Sequence, residues 1–330
     1  MQTRSRALLI LATLTIMAIG SLTLALMLGN IHVSPKELVS VLFGNGNDLA
    51  REVVLKLRLP RALAGLGCGG LLAVSGALLQ VLLRNPLADP YVLGISGGAS
   101  VGALLVMLFG VAGGIGVSSA AFLGAFCTMF IVFGLAHGDG SWTQARLLLT
   151  GVIVAAGCGA AVALMLSIAP DHKLHGMLFW LMGDLSQSGN PTLILGALVL
   201  VVLIALPFAR ELNLLARGSD IAQSLGVAIK RLRFAIYVLA SLATASAVTQ
   251  AGSIGFVGLI VPHLVRLAIG NDQRVLLPAS ALAGGSLLVV ADTLARTVIA
   301  PQQLPVGVLT ALIGVPVFLF LLARDSQTGK

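Results

Sequence analysis

The sequence predicts an all-α, polytopic membrane protein with ten transmembrane helices, and three observations carry that prediction. Hydrophobic residues make up 58% of the 330 positions and charged residues only 10%, where a water-soluble domain carries about 25% charged residues. So apolar a chain cannot cover itself in water and needs lipid as solvent for much of its surface. Its uncharged stretches reach span length, and its 39 glycines suit close helix approach in a membrane. The net charge of +8 is read as cationic loops flanking membrane helices rather than as a nucleic-acid surface.

A crossing needs about 20 apolar residues. Arg4 and Arg6 precede an uncharged run of 23 residues, Ala7–Gly29, against about 7–15 for the apolar region of a secretory signal. The run is expected to be a retained first helix. Residues 62–83 form the second span. Residues 91–136 hold no Lys, Arg, Asp or Glu over 46 positions, enough for two spans divided at the Gly-rich turn Gly110–Ser119. Residues 147–169 and 191–209 follow. Residues 234–265, uncharged over 32 positions, are divided in two near Gly252-Ser-Ile-Gly255, with the second helix running past Pro262. Residues 275–295 and 304–323 complete ten. Residues 1–330 therefore read as a single transmembrane domain.

An even number of spans puts both termini on one side. With cytoplasmic termini, 13 of the 20 Lys and Arg lie inside, among them Arg146, Arg266, Arg274, Arg324 and Lys330, as the positive-inside rule requires. Five of the seven outside cations, Lys36, Arg51, Lys56, Arg58 and Arg61, share one external loop, about 30–61. Within it Ser34-Pro-Lys-Glu37 is a capping box with proline at the first helical position. Val33, Leu38, Val41 and Leu42 follow at roughly helical spacing. A short amphipathic helix on the membrane surface is expected.

Several chemistries are excluded. There is no Gly-x-x-x-x-Gly-Lys-Ser/Thr loop, so the chain does not hydrolyse ATP. There is no His-Glu-x-x-His and no nucleophile elbow. The spans hold almost no ionisable cluster, which speaks against a membrane enzyme and against an ion-coupled carrier. Cys68, Cys127 and Cys158 have no metal-ligand spacing and read as small buried side chains. Leu72, Ala73, Ala77 and Gln80 echo Leu242, Ala243, Ala247 and Gln250, in spans expected to run in opposite directions, as inverted repeats would.

Four stretches stand out. Arg58-Leu-Pro-Arg61 lies just outside the second span. Gln80 is followed by Arg84-Asn-Pro-Leu-Ala-Asp-Pro90 and Leu93-Gly-Ile-Ser-Gly-Gly98. The inside loop, about 216–226, reads Ala216-Arg-Gly-Ser-Asp-Ile-Ala-Gln-Ser-Leu-Gly226. The fourth runs Gly252-Ser-Ile-Gly-Phe-Val-Gly-Leu-Ile-Val-Pro-His263, then Arg266, Asp272, Arg274, Asp292, Arg296 and Leu304-Pro-Val-Gly307. In their order and spacing over nearly the whole chain, about 33 to 322, these resemble the permease family that imports iron–siderophores, haem and vitamin B12. The resemblance implies a vitamin-B12-importer-permease-like fold and a homodimer with a central path. It also implies two copies of a cytoplasmic ATPase, which would use ATP and Mg, and a periplasmic substrate-binding protein. No cofactor is expected in this chain. The cargo would be a metal chelate, and the setting the bacterial inner membrane with its lipid.

The resemblance also implies site residues. Pro86 and Pro90 each stop a helix, and the family places a cytoplasmic gate at Asn85 and Leu87. In the loop after Arg210 and Arg217, Ser219 can cap a short helix and Gly226 can end it. Ile221, Ala222 and Leu225 would share one apolar face, which in the family docks into the ATPase. Arg58 and Arg61, with Arg296 at the outer end of the ninth span, would present cations to acidic residues of the binding protein. Asp292, one turn from Arg296, is expected to pair with it locally. His263 reads as a structural hydrogen-bonding residue. His172, His175 and Met177 lie in an outside segment. Imidazole and thioether are natural axial ligands of haem iron, so haem is favoured as cargo, with ferric siderophore and cobalamin behind it.

Overall fold

The computed structural model describes residues 4–110, 114–136, 143–186 and 190–328. Lys330 and the middle of the Gly110–Ser119 turn lie outside them. The described residues are helical with no strand. The helices are α1 (Arg4–Met27), α2 (Pro35–Leu42), α3 (Asp48–Arg51), α4 (Leu59–Leu82), α5 (Ile95–Phe109), α6 (Gly114–Ala136), α7 (Gln144–Ile168), α8 (Asp171–Leu181), α9 (Pro191–Ala205), α10 (Ala209–Arg217), α11 (Ser219–Ser224), α12 (Ile229–Ala251), α13 (Val257–Ile269), α14 (Gln273–Thr297) and α15 (Val306–Thr328).

Seven helical stretches among the described residues are long and apolar enough to cross a membrane, and three shorter apolar ones stand at 95–109, 257–269 and 306–321. The positions match the expected spans, but several boundaries differ. The second span has no loop before it: a π-helical stretch, Glu52–Arg58, joins α3 to α4, so helix runs unbroken from Asp48 to Leu82. The sixth overruns its expected end, because Pro207 sits in a 3-10 turn, Leu206–Phe208, that passes directly into α10. Helix α6 begins at Gly114, inside the Gly-rich segment. The expected break after α12 is present: residues 252–256 leave the helix, and Phe256 takes the left-handed conformation with φ of 69°.

Helix α4 is the hub. Its buried face is lined by Gly65, Gly67, Gly69, Gly70 and Gly76. A methyl at Gly76 would stand 1.8 Å from the Gly258 carbonyl oxygen of α13, and one at Gly69 would stand 2.3 Å from that of Gly284 on α14. No side chain fits there, so glycine sets how close the backbones come. The contacts also fix direction. Cys68 faces Ala247 while Ser75 donates to the Ala240 carbonyl at 2.8 Å, so α12 is antiparallel to α4. Gly67 abuts Ile194 and Gly70 abuts Leu198, so α9 is parallel to it. Gly65 meets Val289 and Gly69 meets Gly284, so α14 is antiparallel. The echoing segments of α4 and α12 do run in opposite directions.

Helix α2 carries the expected capping box: the Ser34 N–H donates to Glu37 Oε2 at 3.0 Å, and the Glu37 N–H donates to Ser34 Oγ at 3.3 Å. The Ser34 backbone and hydroxyl hold the Glu37 carboxyl below the usual carboxylate range. Val33, Leu38 and Val41 bury themselves against Leu26 and Val54. The apolar face of α2 therefore covers protein, and among the four expected residues only Leu42 stays exposed. Of the cysteines Cys68 is buried, but Cys127 is exposed on α6 and Cys158 half-buried on α7, because both of those helices turn broad faces outward.

Candidate functional site

The three arginines expected to face outward, Arg58, Arg61 and Arg296, are engaged with neighbouring helices. Arg58 is buried, 6% exposed. Its guanidinium donates to the carbonyls of Leu26 at 2.8 Å, Met27 at 3.1 Å and, closer still, Ile31. These include the last carbonyls of α1, which have no partner within their own helix, and a cation there also complements the helix dipole. Arg58 is thus the C-terminal clasp of the first span and forms no exposed pair with Arg61. The wider π-helical turn ahead of α4 changes the phase on which spacing three was read.

Arg61 reaches across to α14. Its Nε lies 3.0 Å from both oxygens of Asp292 and its Nη2 2.8 Å from Oδ1. Its Nη1 donates to Gln303 at 3.0 Å, and Asp184 stands 3.9 Å away. Arg296 Nε sits 3.2 Å from the other Asp292 oxygen, and its Nη2 donates to the Ala25 carbonyl at 3.3 Å. The local Asp292–Arg296 pair is as expected. Its second arginine, 231 residues away in sequence, is not. The side chains of Arg61, Asp292 and Arg296 are 13%, 3% and 10% exposed. The result is a largely buried two-arginine, one-carboxylate clamp joining α1, α4 and α14, whose solvent edge is formed by Arg61, Arg296 and Gln303.

Two clefts flank that edge and share Ser186 and Gln303. One, of about 440 Å³, is lined by Asn30, Lys56, Arg61 and Arg296. The other, of about 340 Å³, is lined by His175, Phe179, Trp180, Thr249, Gln250 and Asp184. Residues 171–181 are a helix, α8, and this separates the three residues grouped by sequence. His175 lines the cleft, its ring centroid 4.6 Å from that of Phe179. His172 is exposed but does not line the cleft. Met177 is fully buried, because two residues along a helix turn it about 200° from His175. Its thioether is not available to a ligand in the cleft.

At its C-terminal end α4 stops at a tight turn with Arg84 at φ of 48°. Asn85 Oδ1 accepts the Leu87 N–H at 2.9 Å, and the Ala88 N–H donates to the Asn85 carbonyl at 3.1 Å. Asn85 and Leu87 are exposed at the tip, Leu87 by 39%. The Asp89 carboxylate then accepts the Tyr91 N–H at 2.7 Å and starts the 3-10 turn Pro90–Leu93.

The loop 216–226 folds as a knob. Gly218, not Ser219, occupies the cap of α11. Ser219 is the first helical residue, and its hydroxyl accepts from Arg233 Nη2 at 2.7 Å. The Gly226 N–H donates to the Gln223 carbonyl and the Val227 N–H to that of Ala222, with Gly226 at φ of 83°, the left-handed stop expected of that glycine. Ile221 and Leu225 are 49% and 61% exposed, but Ala222 is fully buried. It packs the knob down and belongs to no outward face. Asn213, which nothing in the sequence singled out, bolts α10 to α14: it donates to Asp272 Oδ1 and accepts the Gln273 N–H, both at 2.9 Å. His263 is buried on α13, 8% exposed.

A model of the FecCD transport family matches residues 14–324. The chain belongs to that family. It is 41% identical over 325 residues to the hemin transport system permease protein HmuU of Yersinia pestis, covering 96% of this chain and 95% of that one. It is 44% identical to the cobalamin import system permease protein BtuC of Halobacterium salinarum, covering 85% and 75%. A solved structure described as an inward-facing conformation of the metal-chelate ABC transporter type superposes with a TM-score of 0.84. That superposition has 32% identity over 96% of this chain and 99% of the other. These relatives make the chain a permease and therefore a non-catalytic membrane subunit, of the family its motifs resemble.

Proposed function

We propose that this permease is the membrane subunit of an ATP-binding-cassette importer that carries haem from a periplasmic binding protein into the cytoplasm. It works as a homodimer with two ATPase subunits, in a bacterial inner membrane, with both termini cytoplasmic. Counting the three shorter apolar helices as crossings gives ten spans. The alternating directions of α4, α9, α12 and α14 support that count, since α4 should then run with the sixth span and against the seventh and ninth. The Ile221–Leu225 knob is the ATPase dock. The Asn85–Leu87 tip is the cytoplasmic gate, where a polar and an apolar side chain from each copy close the path without binding cargo. Of the three outer arginines Arg61, which reaches the cleft edge at Gln303 beside Arg296, is the one proposed to meet the binding protein.

The choice of haem is carried by His175 in the outer cleft, its ring tilted at 43° against that of Phe179 and next to Trp180: an imidazole and two aromatic side chains suit a planar iron porphyrin. The likeness to a hemin permease over nearly the full length of both chains supports the same reading. Ferric siderophore and cobalamin remain the second reading, favoured by the cobalamin permease relative. The test is uptake by the reconstituted complex with each chelate on its own binding protein. A contact worth about 1.5 kcal/mol should make His175→Ala slow haem uptake about tenfold and leave cobalamin uptake unchanged. Faster transport of cobalamin than of haem, with His175→Ala indifferent for both, rejects haem and the histidine together.

A further inference from the structure

We propose that Tyr91 is a positioning residue that joins the inner gate segment to the unwound stretch 252–256, so that the gate tip and the floor of the outer cleft move as one body. The inference rests on the gate reading of Asn85 and Leu87. It starts from one side chain. Tyr91, one of only two tyrosines in the chain, donates its hydroxyl hydrogen to the Ile254 carbonyl at 2.7 Å and accepts the Ile254 N–H, also at 2.7 Å. A single phenol thus satisfies both backbone groups of a residue that has left the helix. At membrane depth no water replaces those bonds, and irregular backbone persists there only with partners of this kind.

The contact is not isolated. The Ser96 and Ser253 hydroxyls lie 3.0 Å apart. Pro90, the proline that closes the gate segment, packs its ring against Gly258 in the first turn of α13: a methyl on Gly258 would stand 2.8 Å from Pro90 Cδ. The Asp89 side chain fixes the backbone of Tyr91 itself. On one side, then, Tyr91 is rigidly continuous with Asn85 and Leu87. On the other it grips a stretch that begins at Gly252, which lines the outer cleft together with Gln250 at the end of α12. That stretch ends at Phe256, a bulky residue in the left-handed region, a strained conformation that is uncommon for such residues and collects at switching elements. Broken helices at the middle of transporters form the region around which one bundle rocks against the other in alternating access. Here the break has a handle, and the handle belongs to the gate.

A mere packing role for Tyr91 predicts loss of stability alone, so the test follows two peptides through the nucleotide cycle. Hydrogen exchange is measured on the permease–ATPase complex in nanodiscs, with and without a non-hydrolysable ATP analogue, for residues 85–94 and 252–257. In the parent complex the two segments should change protection together and in the same direction. In Tyr91→Phe, which removes only the hydroxyl, 252–257 should exchange at least about tenfold faster, because both buried hydrogen bonds to Ile254 are lost. It should also stop responding to nucleotide while 85–94 still responds. Ser96→Ala, which loses the neighbouring contact but keeps Tyr91, should retain the joint response. The proposal is overturned if the parent segments respond independently or not at all, or if Tyr91→Phe leaves the joint response intact. It is overturned equally if Ser96→Ala splits the response as Tyr91→Phe does. Should Tyr91→Phe not assemble, Tyr91→His, which keeps a polar ring but cannot make both bonds to Ile254, takes its place, and the proposal is overturned if the joint response survives in it. The gate reading is judged separately, by whether cysteines at position 87 crosslink between copies in any state.

Discussion

Asp292→Ala should destabilise the permease by about 3–5 kcal/mol, the usual cost of stripping a buried ion pair of one partner. Two arginines address that carboxylate, from α4 at 2.8 Å and from α14 at 3.2 Å, and all three groups are largely out of water. Without it, two guanidiniums face each other with the more distant Asp184 as their nearest counter-charge. At about 2 °C per kcal/mol for a chain larger than 150 residues, the thermal midpoint in detergent should fall by roughly 5–10 °C. The same principle gives a sharper check. Replacing all three groups with apolar residues of similar volume, Asp292→Leu with Arg61→Met and Arg296→Met, should recover most of the loss, because no uncompensated charge remains. A midpoint unchanged by Asp292→Ala would mean that water screens the clamp despite its burial.

Leu225→Asp should release the ATPase and reduce transport by at least 100-fold. Leu225 and Ile221 project from a knob held by a left-handed glycine stop and by the Arg233–Ser219 hydrogen bond. A charge placed in the centre of an apolar dock costs about 3 kcal/mol or more in affinity, a factor of about 150. The control is one residue type away. Ala222→Asp puts the same charge beneath the knob, where Ala222 is fully buried, and should lower the thermal midpoint. Leu225→Asp should leave the midpoint of the isolated permease unchanged. Size-exclusion chromatography of the solubilised complex reads the first effect and a melting curve the second. A Leu225→Asp complex that stays intact with normal ATP turnover would move the dock elsewhere.

What the sequence made legible was local. The capping box at Ser34 and Glu37, the glycine stop at Gly226 and the helix break at Gly252–Gly255 all depend on chemistry within a few residues, and all are present. The positions of the spans followed from uncharged runs, because the cost of a charge in lipid is independent of the fold around it. The failures share a cause. Arg61 and Asp292 are 231 residues apart, and only the antiparallel packing of α4 on α14, set by glycines, brings them together. Unpaired in sequence, the arginines read as a surface, whereas paired across helices they form a clamp. Met177 and Ala222 were misplaced by register: a residue two along from a cleft histidine, or next to an exposed isoleucine, turns to another face once the segment is helical. Tyr91 and Asn213 carried no signal, since each does its work on the backbone of a distant segment.

The central claim is that this chain passes a metal chelate across a membrane at the expense of ATP hydrolysed by a partner. Uptake into proteoliposomes tests it most directly. The permease and its ATPase are reconstituted together, ATP is enclosed on the side of the ATPase, and haem is supplied outside on its binding protein. Accumulation should require all three components, should stop when the catalytic glutamate of the ATPase is replaced, and should be unaffected by collapsing proton and sodium gradients. Accumulation by the permease alone, driven by such a gradient with no ATPase present, would contradict the account.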